Sequence, residues 1–357
     1  METYHANFSL IHFPIFVATW VTFFIAAIIS FLAQVNFFRQ KTSFLAFIKH
    51  CFPFDSWSKK SARIDVFMYF ASKFTDKIYG SVTLLATVFV SLLVRNVLEF
   101  AFPDHAALPF GYMTILVCSV VVFVVGDFAN YVSHYLQHFV PALWELHKVH
   151  HSATFLNPLT TARMHPLGNA FDGVVSATLD GIPIGIFGFL FGFTVPDALI
   201  LAANANLIGT IAVLDVLRHS HFPVSFGPLD RVILSPHMHQ LHHSAKLEHW
   251  DRNFGNKLSI WDWCFGTVVK PSKDEEFIYG LGNVENQDYD KLTGVYFGPI
   301  IKIWNLIVGK STRQPEGGVS QAGPVRISLA AGVLWRKPPE AEDTVATGPT
   351  SDNLVRS

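Results

Sequence analysis

One stretch decides both the fold and the chemistry of this chain: His134-Tyr-Leu-Gln-His138-Phe-Val-Pro-Ala-Leu-Trp-Glu-Leu-His147-Lys-Val-His150-His151. It holds five imidazoles within eighteen residues and directly follows a long apolar run. Histidine is only intermediate in its tendency to be buried, so core packing does not account for this density. Neutral imidazole suits iron, copper, zinc and nickel, whereas magnesium and calcium prefer oxygen donors. The stretch therefore predicts a transition-metal site.

A later cluster repeats the same spacing. His219 follows a later apolar region, and His239-x-x-His242-His243 comes after it with the spacing of His147-x-x-His150-His151. Residues three or four apart share one helix face, so each cluster can direct two or three imidazoles to a common point. Adjacent histidines point about 100° apart, so one can serve one metal and its neighbour another. With nine or more nitrogens available, we predict two metals.

The composition indicates an integral membrane protein. Half of the 357 residues are hydrophobic and 15% are charged, whereas a soluble chain carries about a quarter charged residues. Apolar runs at 13–33, 78–100 and 111–126 can each form a membrane span, since about 20 residues cross the hydrocarbon core. For the first run a cleaved signal peptide is the alternative, but no Lys or Arg precedes it and it exceeds a signal core in length.

A fourth apolar region, 174–217, is long enough for two passes. We expect a helical hairpin or re-entrant pair, irregular around Gly181-Ile-Pro183 and turning at Val195-Pro196-Asp197, because the residue before a proline tends to leave the helix. The predicted fold is therefore an all-α membrane helical bundle of about three spans plus a helical hairpin.

A basic segment sets the expected orientation. Between Asn36 and Lys77 the chain has eight Lys and Arg residues interleaved with aromatics, which is typical of a segment at the cytoplasmic membrane surface. A soluble connecting loop is the alternative and would lie on the same side. The next two spans then lead out and back, so the dimetal site faces the cytoplasm, in the endoplasmic reticulum of a eukaryote or the inner membrane of a bacterium. Arg95 and Glu99 are spaced to pair on one helix face.

Other features narrow the function. The formal net charge of −1 and the absence of a basic block with stacking aromatics argue against nucleic-acid binding. Cys51, Cys118 and Cys264 lie far apart without a Cys-x-x-Cys, so neither a disulfide framework nor a thiolate zinc site is indicated. We expect the three cysteines to be packing residues.

The motif order resembles the fatty acid hydroxylase superfamily, which includes sterol desaturases, C4-methyl sterol oxidases and alkylglycerol monooxygenases. The resemblance rests on His134-x-x-x-His138 and the two His-x-x-His-His clusters, of which the last is separated from the others by a hydrophobic hairpin. The resemblance covers about 111–269 and extends to Asp127–His134, Arg163-Met-His165-Pro166, His219-Ser220 and Asn253–Thr267. We expect N-terminal spans and the basic interfacial segment at 1–110, the hydroxylase-like catalytic domain at 111–270, an extension at 271–314 and a mostly disordered tail at 315–357.

The resemblance implies a membrane-bound oxygenase with two iron ions that uses O2 to hydroxylate or desaturate a sterol, fatty-acyl or related lipid. Transferred by matching position, the metal ligands would be His134, His138, His147, His150, His151, His219, His239, His242 and His243, with no catalytic residue beyond them. His165 would be a further ligand or a support for the ligands. Asp127, about two turns before His134, would orient a ligand, with an N-cap or interfacial charge as the alternative.

Several residues are expected to lie outside the site. His221, His237 and His249 flank it, and His5, His12, His50 and His105 stand alone. Trp261-Asp262-Trp263 is expected to hold the C-terminal part against the histidine clusters and the membrane interface.

Electrons are expected from a separate partner, such as a cytochrome b5-like protein, a ferredoxin or a reductase, because no His-Pro-Gly-Gly motif of a fused donor domain occurs. Two alternatives to a lipid oxygenase remain. A membrane metal-binding or transport protein would carry ionisable residues along the middle of its spans, and a catalytically inert, lipid-binding family member would have lost motif histidines. The pattern does not choose between hydroxylation and desaturation, since both begin by removing a hydrogen.

Overall fold

The computed structural model describes residue 28 and residues 43–213, 217–272, 278–281 and 287–309. The predicted first span at 13–33 and the predicted tail at 315–357 lie outside the described residues. The described part is helical and contains no strand, only two isolated β-bridges, Ile233 to Leu258 and Ser244 to Tyr279. The predicted all-α class is confirmed.

Ten α-helices and three short 3-10 helices follow one another along the described chain. The α-helices are α1 (Phe44–Cys51), α2 (Phe54–Trp57), α3 (Lys60–Ala101), α4 (Tyr112–Phe139), α5 (Pro141–His151), α6 (Pro166–Phe191), α7 (Val195–Val213), α8 (Pro236–His242), α9 (Ile260–Phe265) and α10 (Leu292–Ile307). The 3-10 helices are Pro158–Ala162, Gly227–Arg231 and Leu247–His249.

Three of these helices, α3, α4 and α6, are long and apolar enough to cross a membrane. They contain the second and third predicted spans and the first arm of the predicted hairpin. Much of the apolar surface of α3 is exposed, including Phe74, Leu85 and Phe89. A soluble protein rarely leaves so large a contiguous apolar surface in water, so this surface fits contact with lipid.

The basic segment and the second span are not separate elements. Lys60–Ala101 is one helix of 42 residues, about 63 Å long at 1.5 Å per residue and thus about twice the thickness of the hydrocarbon core. The second half of the basic segment is thus continuous with the span. Within the span, Arg95 Nε donates to Glu99 Oε1 at 2.7 Å, as the i, i+4 spacing predicts.

The predicted hairpin is present, but its details differ. The turn lies at 192–194, and Val195-Pro196-Asp197 forms the first turn of α7, where Asp197 accepts from the backbone N of Thr194 at 2.8 Å. Gly192 ends α6 with a φ of 67°, a conformation that favours glycine. The irregularity predicted around Gly181-Ile-Pro183 is wrong, because α6 continues through Pro183.

The glycines of α6 instead permit close helix packing. A Cβ on Gly181 would lie 2.7 Å from Val90, and one on Gly185 would lie 2.4 Å from the Ser91 carbonyl oxygen of α3. Small residues four apart let two membrane helices approach closely. The α3–α6 contact therefore depends on these two positions.

A second contact holds α5 beside the membrane helices. Trp144 and Val149 of α5 pack against Ile64 and Met68 of α3 and Val295 of α10 in a buried cluster. This core fixes the helix that carries three of the predicted metal ligands.

Two of the three cysteines pack in the interior as predicted. Cys51 and Cys118 are buried, but Cys264 is exposed, so the packing prediction is wrong for Cys264. It lies near the end of the short helix α9.

Candidate metal centre

Nine histidines converge into two groups. The first group consists of His134, His138, His147, His151 and His242, and the second of His150, His219, His239 and His243. Within each group the candidate ligand nitrogens lie within 4.8 Å of one another. The structure thus brings together all nine residues predicted as ligands and divides them into the two sets that two metals would need.

The division follows from helix geometry. His150 and His151 are neighbours at the end of α5, and each belongs to a different group. His242 and His243, at the end of α8, are divided in the same way. Because neighbouring side chains diverge by about 100°, each pair spans both groups and fixes the distance between them.

Four short elements supply the ligands. The last turns of α4 carry His134 and His138, and α5 and α8 carry the two His-x-x-His-His clusters. Both α5 and α8 begin with proline at the first helical position, which its fixed φ favours, and Ser235 caps α8 by accepting from the backbone N of Met238. His219 lies in the loop after α7.

In the second group the Nε2 atoms are as close to one another as the nitrogen ligands of a single metal ion. His219 Nε2 is 3.0 Å from His150 Nε2 and 2.9 Å from His239 Nε2, and His243 Nε2 is 3.1 Å from His239 Nε2. Each nitrogen of a neutral imidazole is either a donor or an acceptor, so these close contacts cannot all be hydrogen bonds between the rings. Metal–nitrogen bonds of about 2.0–2.1 Å would place ligand nitrogens at about this separation.

The first group leaves buried nitrogens that no described group satisfies. His134 Nε2, His242 Nε2 and both ring nitrogens of His147 are buried without a hydrogen-bond partner, and His138 Nε2 lies 3.2 Å from His151 Nε2. Buried polar atoms are normally paired. A cation at the centre of the group would provide the missing partner.

The electrostatics favour neutral rings. Burial, strengthened by the neighbouring imidazoles, holds the pKa of most of the cluster histidines outside the membrane helices well below the ordinary value: His147, His151, His219, His239, His242 and His243. Burial lowers the pKa of His150 to about 3. Since a metal binds the neutral form of histidine, the set is ready for metal at neutral pH.

One segment, 251–255, orients three ligands of the first group. His134 Nδ1 donates to the Phe254 carbonyl oxygen at 2.8 Å, and His242 Nδ1 donates to that of Arg252 at 2.6 Å. His138 Nδ1 lies 3.2 Å from Asp251 Oδ1. A hydrogen bond at one ring nitrogen fixes the tautomer and turns the other nitrogen towards a metal.

The backbone of this segment is unusual. Asp251 and Asn253 have φ values of 54° and 53°, a region that non-glycine residues enter at a cost and that Asp and Asn tolerate best. The Asn253 side chain holds the segment by donating to the carbonyl oxygens of Met238 and Val269 at 2.9 Å each. The two left-handed residues place the acceptors for three histidines within four positions of one another.

Two aspartates fix the rest of the segment. Asp262 accepts from the backbone N atoms of Phe254 and Gly255 at 2.8 Å each. Asp127 accepts from the backbone N of Lys257 at 2.8 Å and from Trp261 Nε1 at 2.9 Å. Asp127 therefore contacts no cluster histidine; it holds the loop whose Phe254 carbonyl orients His134.

His165 lies outside both groups. Its Nε2 donates to the Tyr296 carbonyl oxygen at 3.0 Å and its Nδ1 accepts from the backbone N of Leu167 at 3.2 Å, so both nitrogens have other partners. It caps the start of α6. His221, His237, His249 and His105 also lie outside both groups, and His5 and His12 lie outside the described residues.

Sequence reasoning missed several supporting residues. Thr161 Oγ1 lies 3.0 Å from His219 Nδ1, and Asp251 partners His138. The contact between Asp251 and His138 could have been suspected from the sequence, because Asp251-Arg252-Asn253 contains turn-forming residues and adjoins the motif Asn253–Thr267. Thr161 carried no signal, because it lies 58 residues before the histidine it contacts.

A buried ion pair ties the site to α3. Arg163 Nη1 contacts Asp65 Oδ1 at 2.9 Å, and its Nε donates to the Val149 carbonyl oxygen of α5 at 2.9 Å. Asp65 Oδ2 accepts from Asn157 Nδ2 at 2.7 Å and from Thr160 Oγ1 at 2.9 Å. The pair joins α3, α5 and the 3-10 helix that carries Thr161.

A cavity of about 210 Å³ reaches both groups. Its walls include His134 and His147 of the first group and His150, His219 and His239 of the second. A substrate in this cavity would lie beside both candidate metal positions.

Residues 119–267 match the family model described as fatty acid hydroxylase, and this range contains all nine cluster histidines. The chain is 31% identical over 158 residues to the ornithine lipid hydroxylase OlsE of Rhizobium tropici, covering 44% of each protein. It is 27% identical over 160 residues to the alkylglycerol monooxygenase of Caenorhabditis elegans, covering 45% of this chain and 28% of that protein. The human alkylglycerol monooxygenase is 26% identical over 178 residues, which cover 50% of this chain and 36% of that protein.

The matched region spans less than half the length of each of these relatives. No solved structure matches the chain. The family match confirms the resemblance inferred from the histidine motifs.

Proposed function

We propose that this chain, whose residues 119–267 match the fatty acid hydroxylase family model, is a membrane-bound oxygenase that hydroxylates a lipid at a centre of two iron ions. The observation that carries the proposal is the division of nine buried or half-buried histidines into groups of five and four. Hydroxylation is favoured over desaturation, because the curated relatives are a lipid hydroxylase and alkylglycerol monooxygenases.

The donor set fits iron. Every candidate ligand is an imidazole, which suits iron among the transition metals, and the segment at 251–255 fixes three of the rings. Bound iron would supply the electrons that reduce O2 and the oxidant that removes hydrogen from carbon. The balanced reaction consumes the lipid, one O2, two electrons and two protons, and releases the alcohol and one water; the electrons come from a separate donor protein.

The protein residues supply position and exclusion of water. All the cluster histidines except the half-buried His134 are buried. Partners at Nδ1 hold four of the rings, His134, His138, His219 and His242, before any metal binds. The alternative of metal transport has less support, because the histidines converge at one end of α4 rather than along a span.

Metal analysis tests the two-metal proposal. The purified chain should carry close to two iron ions. The double variant His138→Ala with His242→Ala removes two first-group ligands, and His239→Ala with His243→Ala removes two second-group ligands; each should retain about one iron. His105→Ala, outside both groups, serves as the control and should retain two. Loss of both irons from each double variant would mean that the groups are not independent sites.

Comparative lipidomics tests the reaction. Cells that express the chain should contain a lipid heavier by one oxygen, and cells that express His239→Ala with His243→Ala should not. A product lighter by two hydrogens would replace hydroxylation with desaturation. Identical lipid profiles, obtained with a supplied electron donor and iron-loaded protein, would contradict the proposal.

We also propose that the centre faces the cytoplasm. Support comes from the Lys and Arg residues around the start of α3, including Lys59, Lys60 and Arg63. In sealed right-side-out vesicles of a bacterial inner membrane, a tag inserted beside Lys59 and a tag on the C-terminal tail should both be protected. Tags on opposite faces of the membrane would contradict this topology.

A further inference from the structure

An exposed apolar face runs along α10, the helix at Leu292–Ile307. Five large side chains of this face are between 46% and 72% exposed: Phe297, Ile300, Ile301, Trp304 and Ile307. They recur at intervals of three and four residues, and a turn of about 100° per residue places them in a stripe about 120° wide. Apolar residues with this spacing usually face a core, whereas this stripe of α10 is exposed.

The opposite face of α10 packs against the rest of the protein. Val295 and Pro299 are buried, and Val295 belongs to the same core cluster as Trp144 of α5. Lys302 Nζ donates to Asp288 Oδ2 at 2.9 Å. Helix α10 is therefore fixed to the helix that carries three of the candidate metal ligands, with its stripe turned outwards.

Helix α10 also adjoins one end of a membrane helix. His165 caps the start of α6 by accepting from the backbone N of Leu167 at 3.2 Å, and its Nε2 donates to the Tyr296 carbonyl oxygen of α10 at 3.0 Å. Helix α6 is long and apolar enough to cross a membrane. The first half of α10 therefore lies beside the end of a helix that is suited to span the bilayer.

The length and composition of α10 fit a helix at the membrane boundary. Its 16 residues extend about 24 Å, which is less than the roughly 30 Å of the hydrocarbon core. The stripe contains no charged residue, and it includes Trp304, a residue type that is enriched where hydrocarbon meets water. Contiguous apolar surfaces that face water are rare on folded proteins and mark sites of contact with a membrane or a partner.

We propose that the stripe of α10 is embedded among the phospholipids of the membrane boundary, so that α10 anchors the histidine-bearing helix α5 at the membrane surface. Phospholipids are favoured over a protein partner because the stripe is entirely apolar, contains an exposed tryptophan and belongs to a helix that adjoins the end of α6. Burial of the stripe in the boundary between headgroups and acyl chains supplies the free energy of this contact. Helix α10 lies outside residues 119–267, which match the family model.

Spin labels on the stripe test this contact. The label is attached through Ile301→Cys or Trp304→Cys in the full-length Cys264→Ser chain, because Cys264 is exposed and the other two cysteines, Cys51 and Cys118, are buried. The metal-free protein is reconstituted in phosphatidylcholine nanodiscs. Electron paramagnetic resonance then measures the accessibility of each label to O2, which concentrates in lipid, and to a neutral nickel chelate, which stays in water.

Two reference positions calibrate the measurement. Leu85→Cys, on the exposed apolar surface of α3, is the lipid reference, and Asp104→Cys, in the loop between α3 and α4, is the water reference. We expect the ratio of O2 to nickel accessibility at Ile301→Cys and Trp304→Cys to lie near that of Leu85→Cys. Ratios near that of Asp104→Cys would overturn the proposal. Labels that neither reagent reaches would also overturn it, since protein would then cover the stripe.

Fluorescence provides a second measurement that needs no label. Phospholipids brominated near the headgroup end of their acyl chains quench the tryptophans that they contact. The quenched fraction of the fluorescence should be smaller in Trp304→Phe than in the wild type, and an equal fraction would contradict the embedding of Trp304. Neither measurement requires a metal, so both outcomes are independent of whether the chain hydroxylates a lipid.

Discussion

Replacing Arg163 with methionine tests whether the buried ion pair holds the histidine helix in place. The Arg163 and Asp65 side chains are 1% and 0% exposed, and their closest N–O distance is 2.9 Å. Methionine is similar in length and carries no charge. The variant leaves the Asp65 carboxylate with only the neutral donors Asn157 and Thr160. Removing one partner of a buried pair in this way costs about 3–5 kcal/mol.

The expected change in melting temperature follows from the size of the protein. An unfolding entropy of roughly 2.1 cal/mol/K per residue over the 357 residues of the chain converts about 3–5 kcal/mol into a fall in Tm of about 4–7 °C. Tryptophan fluorescence of the detergent-solubilised chain, heated with and without iron, measures this shift. The control is the double variant Arg163→Met with Asp65→Asn, which removes the uncompensated charge and keeps hydrogen-bonding atoms for Asn157 and Thr160.

We expect the double variant to recover at least half of the lost Tm, because the main penalty is the unpaired carboxylate rather than the lost attraction. A fall of less than about 2 °C in Arg163→Met would refute the reasoning, since it would mean that water reaches Asp65. The same conclusion would follow if the two variants melted at one temperature.

Three further perturbations have defined outcomes. Gly185→Ala places a Cβ 2.4 Å from a carbonyl oxygen of α3 and should lower Tm, at a cost of about 1–3 kcal/mol. Gly298→Ala in α10 meets open space and should leave Tm unchanged or slightly raised, because alanine favours a helix over glycine. Equal melting of the two variants would contradict the packing. Asp251→Gly keeps the left-handed backbone but removes the partner of His138, so iron affinity in a chelator competition should fall about 10–100-fold, and unchanged affinity would show that the contact is dispensable. Burial raises the pKa of the Asp262 carboxyl to about 6, from about 3.9 in the unfolded chain. The contribution of Asp262 to stability is therefore present below pH 4 and declines by about 3 kcal/mol as the pH rises to 6. Tm measured from pH 4 to 7 should show this decline in the wild type relative to Asp262→Asn, and parallel profiles of the two proteins would contradict it.

Helix spacing predicted that each His-x-x-His-His cluster directs its imidazoles to common points, whereas the full set of nine candidate ligands, His219 included, came from the resemblance. His-x-x-His-His places its first and last residues on one face and its middle residue nearby, so the assignment of neighbours such as His150 and His151 to different metals follows from a turn of about 100° per residue. The structure brings these side chains together without any rearrangement of the expected helices. Local periodicity is sufficient when every ligand lies on, or next to, a short regular element.

Long-range contacts explain what the sequence could not show. Gly181 and Pro183 read locally as helix breakers, but the close approach of α3 stabilises α6 as a continuous helix, because a neighbouring helix can compensate for weak local propensity. His165 matched a recurrent motif position, yet its partner is the Tyr296 carbonyl, 131 residues away. Motif position alone cannot separate a ligand from a helix cap.

The segment 251–255 gives the clearest case of such long-range design. Asp251 and Asn253 adopt the left-handed conformation and so orient the carbonyl groups of Arg252 and Phe254. These carbonyl oxygens accept hydrogen bonds from His242 of α8 and His134 of α4, so the conformation can be explained only once these distant partners are known. Backbone strain of this kind persists only where the surroundings determine it fully, and here Asp262 and the Asn253 side chain do so. The segment therefore couples residues 251–262 to the first histidine group, and its conformation helps to shape the candidate metal centre.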